Sequence, residues 1–131
     1  MAFTTPTKPL ISANPDYEAA GRAASFRGAK VFRVPLTQTW AHDVKAMVKA
    51  AEEQEAGLIY ICNPNNPTGT VTPRADIEYL VNNKPEGTVV LLDEAYIHFC
   101  DQPSGADLVA MDRDVIVLRT FSKLFGMAGL R

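Results

Sequence analysis

Five short runs of apolar residues recur along the chain and predict β-strands. They lie at residues 10–13, 30–34, 58–62, 88–92 and 115–118. The runs are continuous rather than alternating with polar residues, a pattern typical of strands that are buried on both faces of a sheet.

Segments with helical periodicity fall between these strands. Four helices are predicted: residues 17–27, residues 42–55, a segment that begins at Pro73, and residues 104–111. The first follows Asn14-Pro15 as its cap and first-turn proline, and in the fourth Ser104 and Asp107 have capping-box spacing. Strands that alternate with helices predict an α/β fold, a three-layer α/β/α arrangement with a mainly parallel sheet.

Polar segments follow three of the predicted strands, at residues 63–70, 93–96 and 119–123. In open parallel sheets, ligands bind beyond the carboxyl ends of the strands. The three segments should therefore meet at one edge of the sheet, and this convergence predicts the rim of an active site.

Two residues of this rim have the side chains that a carbonyl cofactor needs. Lys123 can form a Schiff base with a carbonyl group once its amine is neutral. The alternative is a solvated lysine in the first turn of a helix. Asp93 can keep a pyridinium nitrogen protonated, and its alternatives are a helix N-cap or a metal ligand.

Other polar and aromatic residues near the rim could contact the same ligand. Asn66 and Tyr96 can each donate to a phenolate oxygen, although a structural turn and a half-buried aromatic are the alternatives. Tyr17 could stack on a ring or belong to the core. The hydroxyls of Thr120 and Ser122 and the guanidinium of Arg131 could bind a phosphate. The alternative is that the two hydroxyls cap a helix and that the arginine lies on the surface.

Composition narrows the classes of protein. The 131 residues, 47% hydrophobic and 21% charged, fit one folded domain, and the net charge of −2 provides no basic excess for nucleic acid or anionic membranes. We expect no bilayer-spanning segment and no secretory signal. The distant Cys62 and Cys100 predict two reduced thiols in a cytoplasmic protein, with neither a disulfide nor a metal site.

Taken together, the three rim segments resemble the pyridoxal-phosphate-dependent class I/II aminotransferases of fold type I. Residues 63–70, 93–96 and 119–131 (the last reading RTFSKLFGMAGLR) look most like the histidinol-phosphate aminotransferase branch. The resemblance implies pyridoxal 5'-phosphate as cofactor. It also implies transfer of an amino group between a 2-oxo acid and an amino acid or amine, with histidinol phosphate among the donors to consider.

The resemblance also implies a role for each matching residue. Lys123 would form the Schiff base and move a proton between the substrate Cα and the cofactor C4′. Asp93 would pair with the pyridine nitrogen, Asn66 and Tyr96 would donate to O3′, and Tyr17 would stack on the ring. The phosphate ligands would be Thr120, Ser122 and Arg131. The Asn66–Pro67 peptide bond is expected to be cis.

Family members are much longer than this chain. Residues 1–131 are therefore expected to be one incomplete segment of the cofactor-binding large domain, with 115–118 as a bare edge strand and with self-association as a homo-oligomer. Two alternatives stay open. The first is another fold type I enzyme with the same cofactor, such as a decarboxylase or a C–S lyase. The second is a truncated fragment that does not turn over substrate.

Overall fold

The chain forms a parallel five-stranded sheet with the order β2-β1-β3-β4-β5 in a computed structural model that describes residues 2–111 and 113–129. The strands are β1 (Leu10–Asn14), β2 (Val31–Pro35), β3 (Leu58–Cys62), β4 (Val89–Asp93) and β5 (Val115–Leu118). The helices are α1 (Ala19–Phe26), α2 (Val44–Glu53), α3 (Arg74–Asn83) and α4 (Ala106–Ala110), with a 3₁₀ turn at Ile97–Phe99. The predicted strands and helices and the parallel pairing are confirmed.

Helices cover both faces of the sheet, so the three-layer prediction is confirmed. On one face α2, α3 and α4 pack on the strands through buried side chains such as Met47, Leu80 and Leu108. On the other face α1 packs through Ala20 and Ala24 in a smaller cluster. Central β3 is buried along its whole length, as its continuous apolar run predicts, whereas β2 at the edge is only partly buried.

Three predicted helix starts are two residues too early: α1, α2 and α4 begin at Ala19, Val44 and Ala106 rather than at residues 17, 42 and 104. The first helix begins at Ala19 rather than residue 17, because β1 continues to Asn14 and the next residues form the turn out of the strand. In the last helix, Ser104 and Asp107 do not form a capping box. Gly105 is the N-cap, and the Asp107 carboxylate instead accepts from Arg74 at 2.6 and 2.9 Å.

The order of the strands creates a switch point between β1 and β3. The chain leaves β1 toward β2 on one side, and all later strands are added on the other side. Crevices at such points are the usual ligand sites of open parallel sheets. Asp93 is the last residue of β4 rather than the first residue after it, which places its carboxyl group at this edge of the sheet.

Three X-Pro bonds near this edge are cis: Asn14–Pro15, Asn63–Pro64 and Asn66–Pro67. The expectation for Asn66–Pro67 is therefore confirmed. Among the described residues, no helix is long and apolar enough to cross a membrane. Cys62 and Cys100 are both free thiols.

Candidate active site

One cavity of about 410 Å³ lies at the carboxyl ends of β3, β4 and β5, next to the turn that follows β1. Seven of the eight residues predicted for the site line it: Tyr17, Asn66, Asp93, Tyr96, Thr120, Ser122 and Lys123. The eighth, Arg131, lies outside the described residues. Cys62 and Arg119 are among the further lining residues.

Asp93 enters the cavity from the end of β4 with both carboxylate oxygens engaged. Oδ1 accepts from the backbone N–H of Ala95 at 3.1 Å, and Oδ2 accepts from the hydroxyl of Tyr60 at 2.9 Å. Burial is the main cause of the raised pKa of Tyr60, so this hydroxyl stays a donor. Burial also raises the pKa of the neighbouring Cys62 thiol to about 12, which keeps a second negative charge away from Asp93.

In the asparagine-rich turn after β3, Asn63 and Asn65 stabilise the turn, whereas Asn66 lines the cavity. Asn63 is buried and clamps the backbone of Thr72, accepting from its N–H at 2.9 Å and donating to its carbonyl at 3.1 Å. Asn65 donates to Pro15 O and to the Thr68 hydroxyl. In the part of the chain that the structure describes, the half-buried Asn66 amide is committed to no such contact and lines the cavity.

The turn after β1 carries Tyr17, which is 44% exposed, to the rim of the cavity. Its backbone N–H donates to the buried Asp16 carboxylate at 2.7 Å, and Asp16 also accepts from Ser12 Oγ and Ala13 N. Burial is the main cause that raises the pKa of Asp16 to about 6, and the backbone hydrogen bonds work against it. This carboxyl group is used in building the turn that presents Tyr17.

Lys123 is exposed, and its Nζ lies 5.2 Å from the centre of the Tyr96 ring. Hydrogen bonding to Tyr96 is the main cause of the raised pKa of Lys123, with a smaller contribution from the charge of Asp93. The amine and the phenol therefore share the part of the cavity between the ends of β4 and β5. Nearby, the Thr120 hydroxyl accepts from the backbone N–H of Ser122 at 3.0 Å and shapes the loop that leads to Lys123.

A partly buried ion pair joins the ends of β4 and β5 beside the cavity. Glu94, 2% exposed, accepts from Arg119 Nη1 at 3.0 Å, from Ser104 Oγ at 2.7 Å and from the backbone N–H of Gly105. A second guanidinium nitrogen of Arg119 lies 2.8 Å from His98 Nε2. The loop that carries Thr120, Ser122 and Lys123 starts from this anchored arginine.

The sequence analysis did not identify Tyr60 or the Glu94–Arg119 pair. Tyr60 lies in an apolar strand run, 33 residues before the carboxylate that it contacts. Glu94 and Arg119 belong to the motifs quoted above. Their opposite charges, at the ends of two neighbouring strands, could have been used to predict the ion pair. Parallel pairing of β4 with β5 would have placed them side by side.

The fold and the cavity define a class of protein: an α/β protein with a cavity of small-molecule size at the carboxyl edge of a parallel sheet, lined by a lysine and a carboxylate. The chain belongs to the class I and II aminotransferase family, whose model matches residues 1–131. This family uses pyridoxal 5'-phosphate.

Individual relatives agree with this membership. An aromatic amino acid aminotransferase of Streptomyces avermitilis is 44% identical over the whole chain. A structure from Erwinia carotovora atroseptica, assigned to the histidinol-phosphate aminotransferases, is 33% identical over 99% of the chain, with a TM-score of 0.92. The histidinol-phosphate aminotransferase of Sinorhizobium meliloti, in complex with pyridoxal 5'-phosphate, is 27% identical over 95% of the chain, with a TM-score of 0.82. The chain spans only 37%, 39% and 34%, respectively, of the lengths of these proteins.

The groups around the cavity fit this cofactor chemically. A carboxylate suits a protonated pyridine nitrogen, an amide and a phenol suit a phenolate oxygen, and an amine suits an aldehyde. Asp93, Asn66, Tyr96 and Lys123 supply these groups around one space. The volume also falls in the range of roughly 300–1,000 Å³ that is usual for small-molecule sites.

Proposed function

We propose that this chain forms the cofactor-binding part of a pyridoxal-phosphate-dependent aminotransferase, which transfers an amino group between a 2-oxo acid and an amino acid or amine. The observation that carries the proposal is the common cavity. Residues from four separate segments, after β1, β3, β4 and β5, line one space of about 410 Å³.

The proposed roles follow the chemistry of each group. Asp93 would pair with the pyridine nitrogen, and Asn66 and Tyr96 would donate to the phenolate oxygen. Tyr17, held by Asp16, would stack on the ring. Thr120 and Ser122 would bind the phosphate together with Arg131, which lies outside the described residues.

The bound cofactor supplies an electron sink for negative charge that develops at the substrate Cα. The protein supplies positioning and proton transfer. Asp93 would place its negative charge opposite the ring nitrogen, and its two donors, Ala95 and Tyr60, hold its orientation. Lys123 Nζ would hold the cofactor covalently and would move a proton to and from the substrate Cα.

The raised pKa of Lys123 affects how readily the free amine can react with the cofactor. Beside Tyr96 the free amine is held in its protonated form, so it must lose a proton before it attacks an aldehyde. Capture of the cofactor is therefore expected to become faster as the pH rises toward the pKa of the lysine.

Titration of the chain with pyridoxal 5'-phosphate, followed by visible absorbance, tests the cofactor part of the proposal. Wild type should develop a shifted absorbance band, and Lys123→Ala should not. Lys49→Ala is the matched control, because Lys49 is exposed on α2 and pairs with Glu53 on the same helix. Equal spectra for wild type and Lys123→Ala would contradict the proposal.

The substrate is tested by a donor screen with a 2-oxo acid acceptor and identification of the products. Relatives named for aromatic amino acids and for histidinol phosphate make these two donor classes the first to try. Release of carbon dioxide or of a thiol, without transfer of the amino group, would instead favour a decarboxylase or a C–S lyase. Two expectations about the whole protein stay predictions: that it self-associates and that it is cytoplasmic.

A further inference from the structure

Tyr60 is the one buried tyrosine beside the cavity whose hydroxyl meets the candidate cofactor carboxylate, within the described residues. It is 2% exposed and packs with Leu91, Cys62 and the alanines of α1 in the core cluster on that face of the sheet. The ring is thus held by apolar contacts, and its hydroxyl reaches Asp93 Oδ2 at 2.9 Å.

The register of the sheet explains why the two side chains meet. Cys62 pairs with Asp93 and Tyr60 pairs with Leu91, so all four side chains point to the same face of adjacent parallel strands. Tyr60 lies one strand over and two residues earlier than the position opposite Asp93. A phenol is long enough to span this diagonal, whereas a shorter hydroxyl side chain is not.

A carboxylate has two oxygens and about four acceptor positions. At Asp93, Ala95 N–H takes one position on Oδ1 and Tyr60 takes one on Oδ2. These two donors come from different directions and restrict rotation about both side-chain torsions. Acceptor positions remain on the side that faces the cavity, where a protonated ring nitrogen would donate.

We propose that Tyr60 is a positioning residue for the cofactor: its hydroxyl holds the Asp93 carboxylate in the orientation that receives the protonated ring nitrogen. The inference rests on the proposed function. Tyr60 does not line the cavity and would act through Asp93, so its contribution would depend on the nitrogen atom of the ligand.

The test compares two ligands in each of several variants. One ligand is pyridoxal 5'-phosphate, and the other is its analogue with a C–H group in place of the ring nitrogen. Tyr60→Phe removes only the hydroxyl. Tyr79→Phe is the matched control, because Tyr79 lies on α3 and is 39% exposed. Binding constants from absorbance titration are measured without substrate, so the readout does not depend on turnover.

We expect Tyr60→Phe to weaken binding of the natural cofactor about fivefold, the loss of roughly one hydrogen bond, and to change binding of the carbon analogue by less than about twofold. Tyr79→Phe should change neither. In an Asp93→Asn background, Tyr60→Phe should have no further effect, since the partner through which it acts is already altered.

Equal weakening of both ligands, or no weakening of either, would overturn the positioning role. A Tyr60→Phe chain that does not fold would also overturn it, by assigning the hydroxyl to the stability of the fold. Because both affinities are measured in one variant, a partial loss of folded protein lowers both and leaves their ratio unchanged. A wild-type chain that binds neither ligand refutes the proposed function, and this inference with it. A wild-type chain that binds both, beside an unchanged Tyr60→Phe, refutes the inference alone.

Discussion

Replacing Glu94 with glutamine should cost the chain about 2–3 kcal/mol of unfolding free energy. The carboxylate is 2% exposed and accepts from three donors, the Arg119 guanidinium, the Ser104 hydroxyl and the Gly105 N–H. Glutamine keeps one carbonyl oxygen for these donors. Its NH₂ group must face either the guanidinium and the hydroxyl, which both contact Oε2, or the Gly105 N–H, which contacts Oε1. At least one charge-assisted bond is lost, and such bonds contribute about 1.5–3 kcal/mol each.

The partial exposure of Arg119 limits the expected loss. Its side chain is 40% exposed, so water can solvate the guanidinium when the partner is removed, and the cost stays below the roughly 3–5 kcal/mol typical of breaking a fully buried pair. Glu94→Ala should cost more than Glu94→Gln, because it also leaves the Gly105 N–H without its acceptor and opens a cavity.

Urea unfolding followed by circular dichroism measures these differences, with an unchanged m-value as the sign that only stability has changed. Glu53→Gln is the matched control, since Glu53 pairs with Lys49 across 3.7 Å on the exposed face of α2 and should cost less than about 0.5 kcal/mol. A Glu94→Gln loss as small as that of the control would refute the claim that this carboxylate anchors the two strand ends.

Two further predictions concern buried charge and the cofactor. Burial lowers the pKa of His42 from 6.5 to about 4, so the stability that His42 contributes is complete above pH 6.5 and is lost as the pH falls toward 4. Burial raises the pKa of Asp16 from 3.8 to about 6, so the stability that Asp16 contributes is complete below pH 3.8 and is lost as the pH rises through 6. The two effects oppose each other in wild type, and Asp16→Asn should expose that of His42 as a loss of about 3 kcal/mol between pH 6.5 and 4 in urea unfolding, whereas a pH-independent variant would contradict the assignment of His42. Asp93→Asn should weaken cofactor binding about tenfold but lower transamination by at least about a hundredfold, because the amide keeps the shape of the site and removes the charge that supports the electron sink. Unchanged turnover in a coupled amino-transfer assay would show that Asp93 has only a structural role.

Much of the fold could be predicted because apolar runs report burial directly. The run at residues 58–62 is buried throughout as β3, and the apolar residues of the third predicted helix, Ile77, Leu80 and Val81, are all buried. Helix starts were harder to predict, because they depend on tertiary contacts. Asp107 had the spacing of a capping residue, yet a bidentate pairing with Arg74 from another helix determines its position.

The residues that line the candidate site were predicted from motifs. The residues that support them from the core, such as Tyr60, were not predicted. Parallel strands bring together the segments that carry Asn66, Asp93 and Lys123, so the cavity follows from the topology. The contact of Tyr60 with Asp93 depends on side-chain length and on the exact strand register. The pairing of His42 with Thr72, with ring nitrogen and hydroxyl 2.7 Å apart, joins two loops that the sequence does not relate.

The central claim is that residues from four segments bring pyridoxal 5'-phosphate to Lys123. Incubation of the chain with the cofactor, reduction with borohydride and peptide mapping by mass spectrometry test it most directly. We expect a single stoichiometric modification on Lys123, reduced in Asp93→Asn and absent in Lys123→Ala, with Lys49→Ala labelled like wild type. Labelling spread over several surface lysines, and unchanged in Lys123→Ala, would show that Lys123 does not hold the cofactor.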